Sequence, residues 1–169
     1  MTTTKTTTYT KEEIKTLQAY AKMECERLEK EFPDLQVLKV SRRNKKLVPN
    51  HLTAFIIWNL PAKITCPYAT DHCKKCCYAV KSEVAYPDVI PSRQKHLLES
   101  KQDDFTTKMI YTILKIASGT NKSEIIVRIH ESGDFYNKYY AMKWLEIARA
   151  CSIDKRIKFM AYTKIERKY

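Results

Sequence analysis

Glu124-Ile125-Ile126-Val127-Arg128-Ile129-His130-Glu131-Ser132-Gly133-Asp134-Phe135 decides the fold. Branched apolar residues dominate its first six positions, which reads as a buried strand over Glu124 to His130. A polar stretch with a glycine follows at once, either a plain turn or a functional loop at the strand exit. Gly133 stands out because the chain has only two glycines, Gly119 being the other, where average usage of roughly 7% would give about twelve. Gly119 ends an apolar helical stretch and reads as its C-cap.

Outward from this segment the pattern repeats. Leu52 to Leu60 is a second apolar, branched and aromatic run, a buried strand candidate. Residues 92–118 read as helix, interrupted near Gln102-Asp103. Asn137 to Cys151 is an amphipathic helix with Tyr140, Trp144, Ile147, Ala148 and Cys151 on its inner face. Ile157 to Tyr162 supplies another strand. Upstream, Thr10-Lys11-Glu12-Glu13 matches a capping box. The helix it opens carries Ile14, Leu17, Ala21, Cys25 and Leu28 on one stripe and ends near Phe32-Pro33. Cys25 and Cys151 lie on apolar stripes and read as core. Leu35 to Val40 reads as a short strand. Strand, helix, strand, helix, strand predicts an α/β fold with a parallel βαβαβ core and right-handed crossovers, preceded by an N-terminal helix.

The 169 residues suit one domain over 10–169, after a flexible Thr-rich head over 1–9. No apolar h-region opens the chain, and the run Phe55 to Trp58 is far too short to span a bilayer. These features predict a soluble cytoplasmic protein without membrane contact, in which clustered cysteines are metal ligands or redox groups. Thirty-one basic against 19 acidic residues give a net charge of +12. That favours polyanions, with segments 39–46 and 155–168 as the contacts. The run Arg42-Arg43-Asn44-Lys45-Lys46 fits either a solvated turn or a phosphate patch.

The chemistry-bearing segment is Thr65 to Ala79, with Cys66, Cys73 and Cys77 in the spacing C-x6-C-x3-C and Cys76 as an alternate ligand. Zinc would need four ligands in a closed tetrahedron, for instance Cys66, Cys73, Cys76 and either Cys77 or His72. Adjacent cysteines strain such a shared tetrahedron, and paired C-x2-C knuckles are absent. An iron–sulfur cluster tolerates looser thiolate spacing and is the preferred cofactor, with zinc as the alternative. Lys74 and Lys75 are expected to lower the thiol pKa values. His130, Glu131 and Asp134 are the candidate catalytic residues. Ligands of parallel sheets bind at the carboxyl ends of strands, where the cysteine loop, His130 to Phe135 and Thr163-Lys164 all fall. His51, His72 and His96 have weaker claims.

The sequence resembles the phage proteins with a gene-product-88-like domain. The resemblance rests on Asn59-Leu60-Pro61-Ala62, Cys66-Pro67, Cys73 and Cys77-Tyr78-Ala79. It continues through Arg128 to Tyr136, Tyr140, Trp144 and Ala161-Tyr162-Thr163-Lys164, covering roughly Leu52 to Lys164. It implies a phage protein working in the cytoplasm of an infected or lysogenic bacterium. The order of motifs also resembles the front half of a radical S-adenosylmethionine core. That resemblance implies a half-barrel, with S-adenosylmethionine held near Ser132, Gly133 and Asp134. The cysteine spacing departs from that group's C-x3-C-x2-C, and this length accommodates half a barrel. The primary expectation is a phage-type metal-binding protein of reduced radical-S-adenosylmethionine-like character. The alternative is a non-catalytic basic protein with a structural metal, inhibiting a host nucleic-acid-dependent defence machine of the CRISPR kind. Its partners would be nucleic acid or a host nucleoprotein complex. A homodimer of two half-folds is the oligomer to test.

Overall fold

The computed structural model describes residues 9–42 and 51–165. The chain runs α1 (Lys11–Glu31), β1 (Thr53–Trp58), α2 (Asp71–Lys75), α3 (Tyr78–Ala85), α4 (Val89–Lys101), α5 (Phe105–Ser118), β2 (Glu124–Ile129), α6 (Lys138–Cys151), β3 (Ile157–Ala161). The strands form one sheet in the order β1-β2-β3. Both pairings are parallel, with Thr53 opposite Glu124 and Ile125 opposite Ile157 at the leading ends. This is the expected partial parallel βαβαβ core with an N-terminal helix. The chain crosses from β1 to β2 through α2 to α5, and from β2 to β3 through α6.

Strand β2 alternates buried and half-buried residues, with Ile125, Val127 and Ile129 on the core face, the period of two that pleating imposes. Helix α5 packs on both α1 and α6. Phe105, Met109 and Ile113 of α5 meet Trp58, Tyr140, Trp144 and Ile147 in one apolar cluster that also takes in Cys25 and Cys151. Fully burying each such large side chain contributes about 1.5–3 kcal/mol. Thr10 caps α1 in a complete capping box with Glu13. Gly119 is the C-cap of α5, in a right-handed conformation that any residue adopts.

Three expectations change. Leu35 to Val40 forms no strand; this stretch meets the sheet only through an isolated antiparallel bridge between Ser41 and Ile57. Its backbone groups bond side chains instead. The Leu38 N–H donates to Thr112 Oγ1 at 2.8 Å, and the Lys39 carbonyl lies 2.8 Å from His96 Nε2. Second, the helical stretch expected from residue 92 opens earlier, with α4 at Val89, while its expected interruption near Gln102-Asp103 falls between α4 and α5. Third, Arg156 belongs to no polyanion surface, being fully buried. It pairs with Asp154 at 2.7 Å and donates to the carbonyls of Ala117, Thr120 and Lys122, closing the turn between α5 and β2. A buried guanidinium needs such complete satisfaction.

Of the other basic residues proposed as contacts, those at 43–46 and 166–168 lie outside the described residues, as do 1–8 of the Thr-rich head. Among the described residues, no helix is long and apolar enough to cross a membrane.

Candidate functional site

The exits of the strands are tied together by polar contacts. Asn59 follows β1, and its Oδ1 accepts the backbone N–H groups of Glu131 (2.7 Å) and Ser132 (3.1 Å). Leu60 and Ser132 are doubly joined: the Leu60 N–H donates to the Ser132 carbonyl at 2.9 Å, and Ser132 Oγ donates to the Leu60 carbonyl at 2.8 Å. Asp134 bridges onward. It accepts from the Phe135 N–H at 2.7 Å and, through its other oxygen, from the Lys164 N–H beyond β3 at 2.8 Å. Each carboxylate oxygen keeps acceptor capacity after these bonds.

Gly133 makes this closeness feasible. Its φ is +85°, and a Cβ there would stand 2.6 Å from Leu60 Cβ and 2.6 Å from Thr65 Oγ1. Glycine alone meets both the conformation and the space. His130 also adopts a left-handed conformation, φ 63°, which is uncommon for a residue with a Cβ.

Beyond β1 the chain folds into two short helices that carry the cysteines. Thr70 caps α2 by accepting the Cys73 N–H at 3.2 Å. Cys77 is the N-cap of α3. Neither helix has much apolar burial, α2 none and α3 only Ala79, so polar ties hold the segment. Glu83 Oε1 accepts the Ala62 N–H at 2.8 Å and pairs with Arg93 of α4 at 2.7 Å. Arg93 also donates to the Ala79 carbonyl and to Ser82 Oγ. The Tyr78 hydroxyl donates to the Glu131 carbonyl, linking α3 to the loop after β2.

Cys66, Cys73 and Cys77 line one cavity of about 320 Å³ together with His130, Glu131, Ser132, Gly133, Asp134 and Lys164. Every residue singled out as catalytic or cofactor-binding in the sequence, and three of the four candidate ligands, thus border one space. Cys76 is exposed and lines a neighbouring groove instead, because consecutive side chains diverge. His72 and His51 are exposed. His96 is buried against Trp58, ring centroids 3.9 Å apart, and lies 2.9 Å from the Asn59 carbonyl. It supports the strand exit.

Burial dominates the electrostatics of the site. Burial pushes the Cys66 thiol up, and the nearby Asp134, Cys77 and Cys73 add to the rise. The expected lowering by Lys74 and Lys75 therefore does not govern Cys66; both lysines line the neighbouring groove. Burial also pulls His130 down to about 3, which keeps its imidazole neutral. One ring nitrogen, Nε2, lies 2.9 Å from the Tyr140 hydroxyl, and Nδ1 has no partner among the described residues. Arg128 pairs with Glu131 at 3.0 Å and leaves its buried Nε without one. Unsatisfied buried polar atoms cost about 1–3 kcal/mol each, and these two belong to residues that border the cavity.

Among the described residues, no three His, Cys, Asp or Glu side chains are gathered to hold a single metal ion. A tetrahedral zinc draws its thiolates to about 2.3 Å from one point, a tighter arrangement than this one. An iron–sulfur cluster is held by thiolates alone, and these three thiols border one cavity.

Sequence reasoning quoted Asn59 and Arg128 only within motifs and passed over Arg93. The signal for Arg128 was a lone charge inside an apolar strand; for Arg93 and Glu83 no local pattern existed.

The family model described as Gene product 88 matches residues 36–169. The Gene 88 protein of Mycobacterium phage D29 is 29% identical over 107 residues, covering 60% of this chain and 43% of that relative. The Gene 88 protein of Mycobacterium phage L5 is 28% identical over 107 residues, covering 60% of this chain and 44% of the relative. The match thus spans less than half the length of these curated relatives. No solved structure matches the chain.

Proposed function

The chain belongs to the gene product 88 family of phage proteins, and from that premise we propose that it is a metal-binding protein holding an iron–sulfur cluster on Cys66, Cys73 and Cys77. One observation carries the reading: the three thiols and the polar loop after β2 border a single cavity at the carboxyl end of a parallel sheet. When bound, such a cluster supplies electron transfer and, at an iron held by no thiolate of the trio, a site for an outside ligand.

The chain's own residues prepare the rest. Neutral His130 keeps one ring nitrogen, and Arg128 one N–H, without a partner among the described residues. Asp134 and Ser132 fix the loop against both neighbouring strand exits. A ligand with both an amine and a carboxylate suits this mixture of acceptors and donors, and S-adenosylmethionine is the candidate. In that reading Ser132, Gly133 and Asp134 bind the cofactor's methionine end, and His130 and Glu131 face its reacting part.

Anaerobic purification followed by iron, sulfide and zinc analysis, with a visible absorbance spectrum, tests the metal. Iron and sulfide in equal amounts with broad charge-transfer absorbance are expected; colourless protein with one tightly held zinc would replace the cluster. Calorimetry with S-adenosylmethionine on the iron-loaded protein tests the second ligand separately.

A further inference from the structure

A second recess lies on the other side of the cysteine segment. It measures about 640 Å³ and is lined by Lys63, Lys74, Lys75 and Lys81 around Val80, Val84 and Ala85, with Cys76 and Cys77 along one wall. No carboxylate lines it. Five lysines elsewhere, Lys22, Lys95, Lys108, Lys115 and Lys158, each pair with a Glu or Asp. Among the described residues, none of the four groove lysines forms an ion pair or a side-chain hydrogen bond.

Helix α3 explains the arrangement. Ala79, Ser82 and Glu83 turn toward Arg93, which leaves Val80, Lys81, Val84 and Ala85 on the opposite face as (i, i+4) neighbours. Val84 is 82% exposed, and Ile64, next to Lys63, is 78% exposed. Lys63 holds a φ of 63°, where glycine or asparagine would sit with less strain. The lysine at that position adds charge at a conformational cost.

We propose that this groove docks an acidic protein segment that places an apolar side chain on the Val80–Val84 floor. A rim of one charge sign around an apolar centre is the anatomy of a protein interface. A phosphodiester chain fits less well. Its neutral surfaces are bases, which stack on aromatic faces or guanidinium planes, and neither an aromatic nor an arginine lines the groove. Arginine is also the residue that matches phosphate with two parallel hydrogen bonds. Cys77 lines both this groove and the site cavity, so a docked partner lies one thiol away from the proposed metal. The docking proposal itself holds whichever metal the thiols carry.

The test uses the full chain as purified and three probes of equal charge: a glutamate-rich peptide carrying two leucines, an all-glutamate peptide, and a single-stranded oligonucleotide. The leucine-bearing peptide should bind tightest at low salt. Lys74→Gln/Lys75→Gln/Lys81→Gln should weaken it by roughly tenfold. Val84→Ser should weaken the leucine-bearing peptide by about fourfold, the worth of one buried methylene, and leave the all-glutamate peptide unchanged. All these residues are exposed or half-buried, and metal content should stay at the wild-type value in both variants. An oligonucleotide that binds as tightly as the leucine-bearing peptide, and loses affinity in the lysine variant, would convert the groove into a nucleic-acid surface. No binding by any probe, or no response to either variant, would overturn the proposal.

Discussion

Cys25 and Cys151 sit in long helices at 2% and 0% exposure, whereas Cys66, Cys73 and Cys77 are half-buried around a cavity. Burial pushes the Cys25 thiol up to about 11 and that of Cys151 to about 12. Neither yields a thiolate near neutral pH, and both act as small apolar groups. The cavity cysteines belong to a segment that the apolar core does not hold, since α2 and α3 bury only Ala79 between them. The same side chain therefore serves two purposes, and the difference lies in what anchors the backbone around it. Where apolar stripes anchor it, the thiol is sealed; where an ion pair and caps anchor it, the thiol stays reachable.

The sharpest way to break this comparison is to remove thiols from each region in turn. Cys66→Ala, Cys73→Ala and Cys77→Ala should each lower bound metal by at least about tenfold, the least that even an outer contact of a metal site costs. Cys25→Ala and Cys151→Ala should keep full metal and lose roughly 1 kcal/mol of stability instead. Metal analysis beside urea denaturation reads both effects. Metal loss from either core variant would end the division.

Next in size is Gly133→Ala. The added Cβ meets Leu60 and Thr65 at 2.6 Å in a backbone conformation alanine resists, so stability should fall by roughly 3 kcal/mol. The same change at Gly119, where the nearest atom is 3.7 Å away and φ is ordinary, should be close to neutral. Equal costs at the two positions would mean that the tie between the β1 and β2 exits contributes little.

A third test uses acid. His130 titrates at about 3 in the fold because burial disfavours its charged form, against about 6.5 in the unfolded chain. Below pH 6.5 the unfolded state takes up a proton that the folded state refuses until about pH 3. The stability is complete above 6.5 and declines as pH falls through that window. At pH 5 the loss should be about 2 kcal/mol. His130→Gln should flatten this part of the pH profile by the same amount when unfolding is followed by denaturant. An unchanged profile would show that His130 is more hydrated than its burial implies.

The two regions also differed in how far the sequence disclosed them. The strands and the amphipathic helices were legible because long periodic patterns report one buried face: Ile125, Val127 and Ile129 alternate, and Tyr140, Trp144, Ile147 and Cys151 recur at helical spacing. Leu35 to Val40 had a strand's composition, yet Thr112 and His96 claimed its backbone groups, and no local pattern shows a distant side chain. Arg156 looked like surface charge because, apart from Asp154, its partners, the carbonyls of Ala117, Thr120 and Lys122, lie more than thirty positions away. The cysteines and the loop after β2 were visible as residue types. Their meeting in one cavity followed from parallel strand order. The short helices α2 and α3 escaped notice, since five and eight residues are too few for a period to declare itself.

The smallest effect asks whether scaffold and site are separable at all. Thr10 caps α1 from both sides of a capping box, its hydroxyl accepting the Glu13 N–H at 3.2 Å while Glu13 accepts the Thr10 N–H at 2.7 Å. Thr10→Ala should cost about 1 kcal/mol, the usual worth of such a cap. Helix α1 packs on α5, and neither helix contributes a residue to the cavity lining. Loosening its first turn should lower the denaturation midpoint slightly and leave metal content, visible absorbance and S-adenosylmethionine affinity unchanged. Should the metal weaken in step with α1, the cysteine segment would draw its order from the whole core, and the polar anchors at Glu83 and Arg93 would be secondary to it.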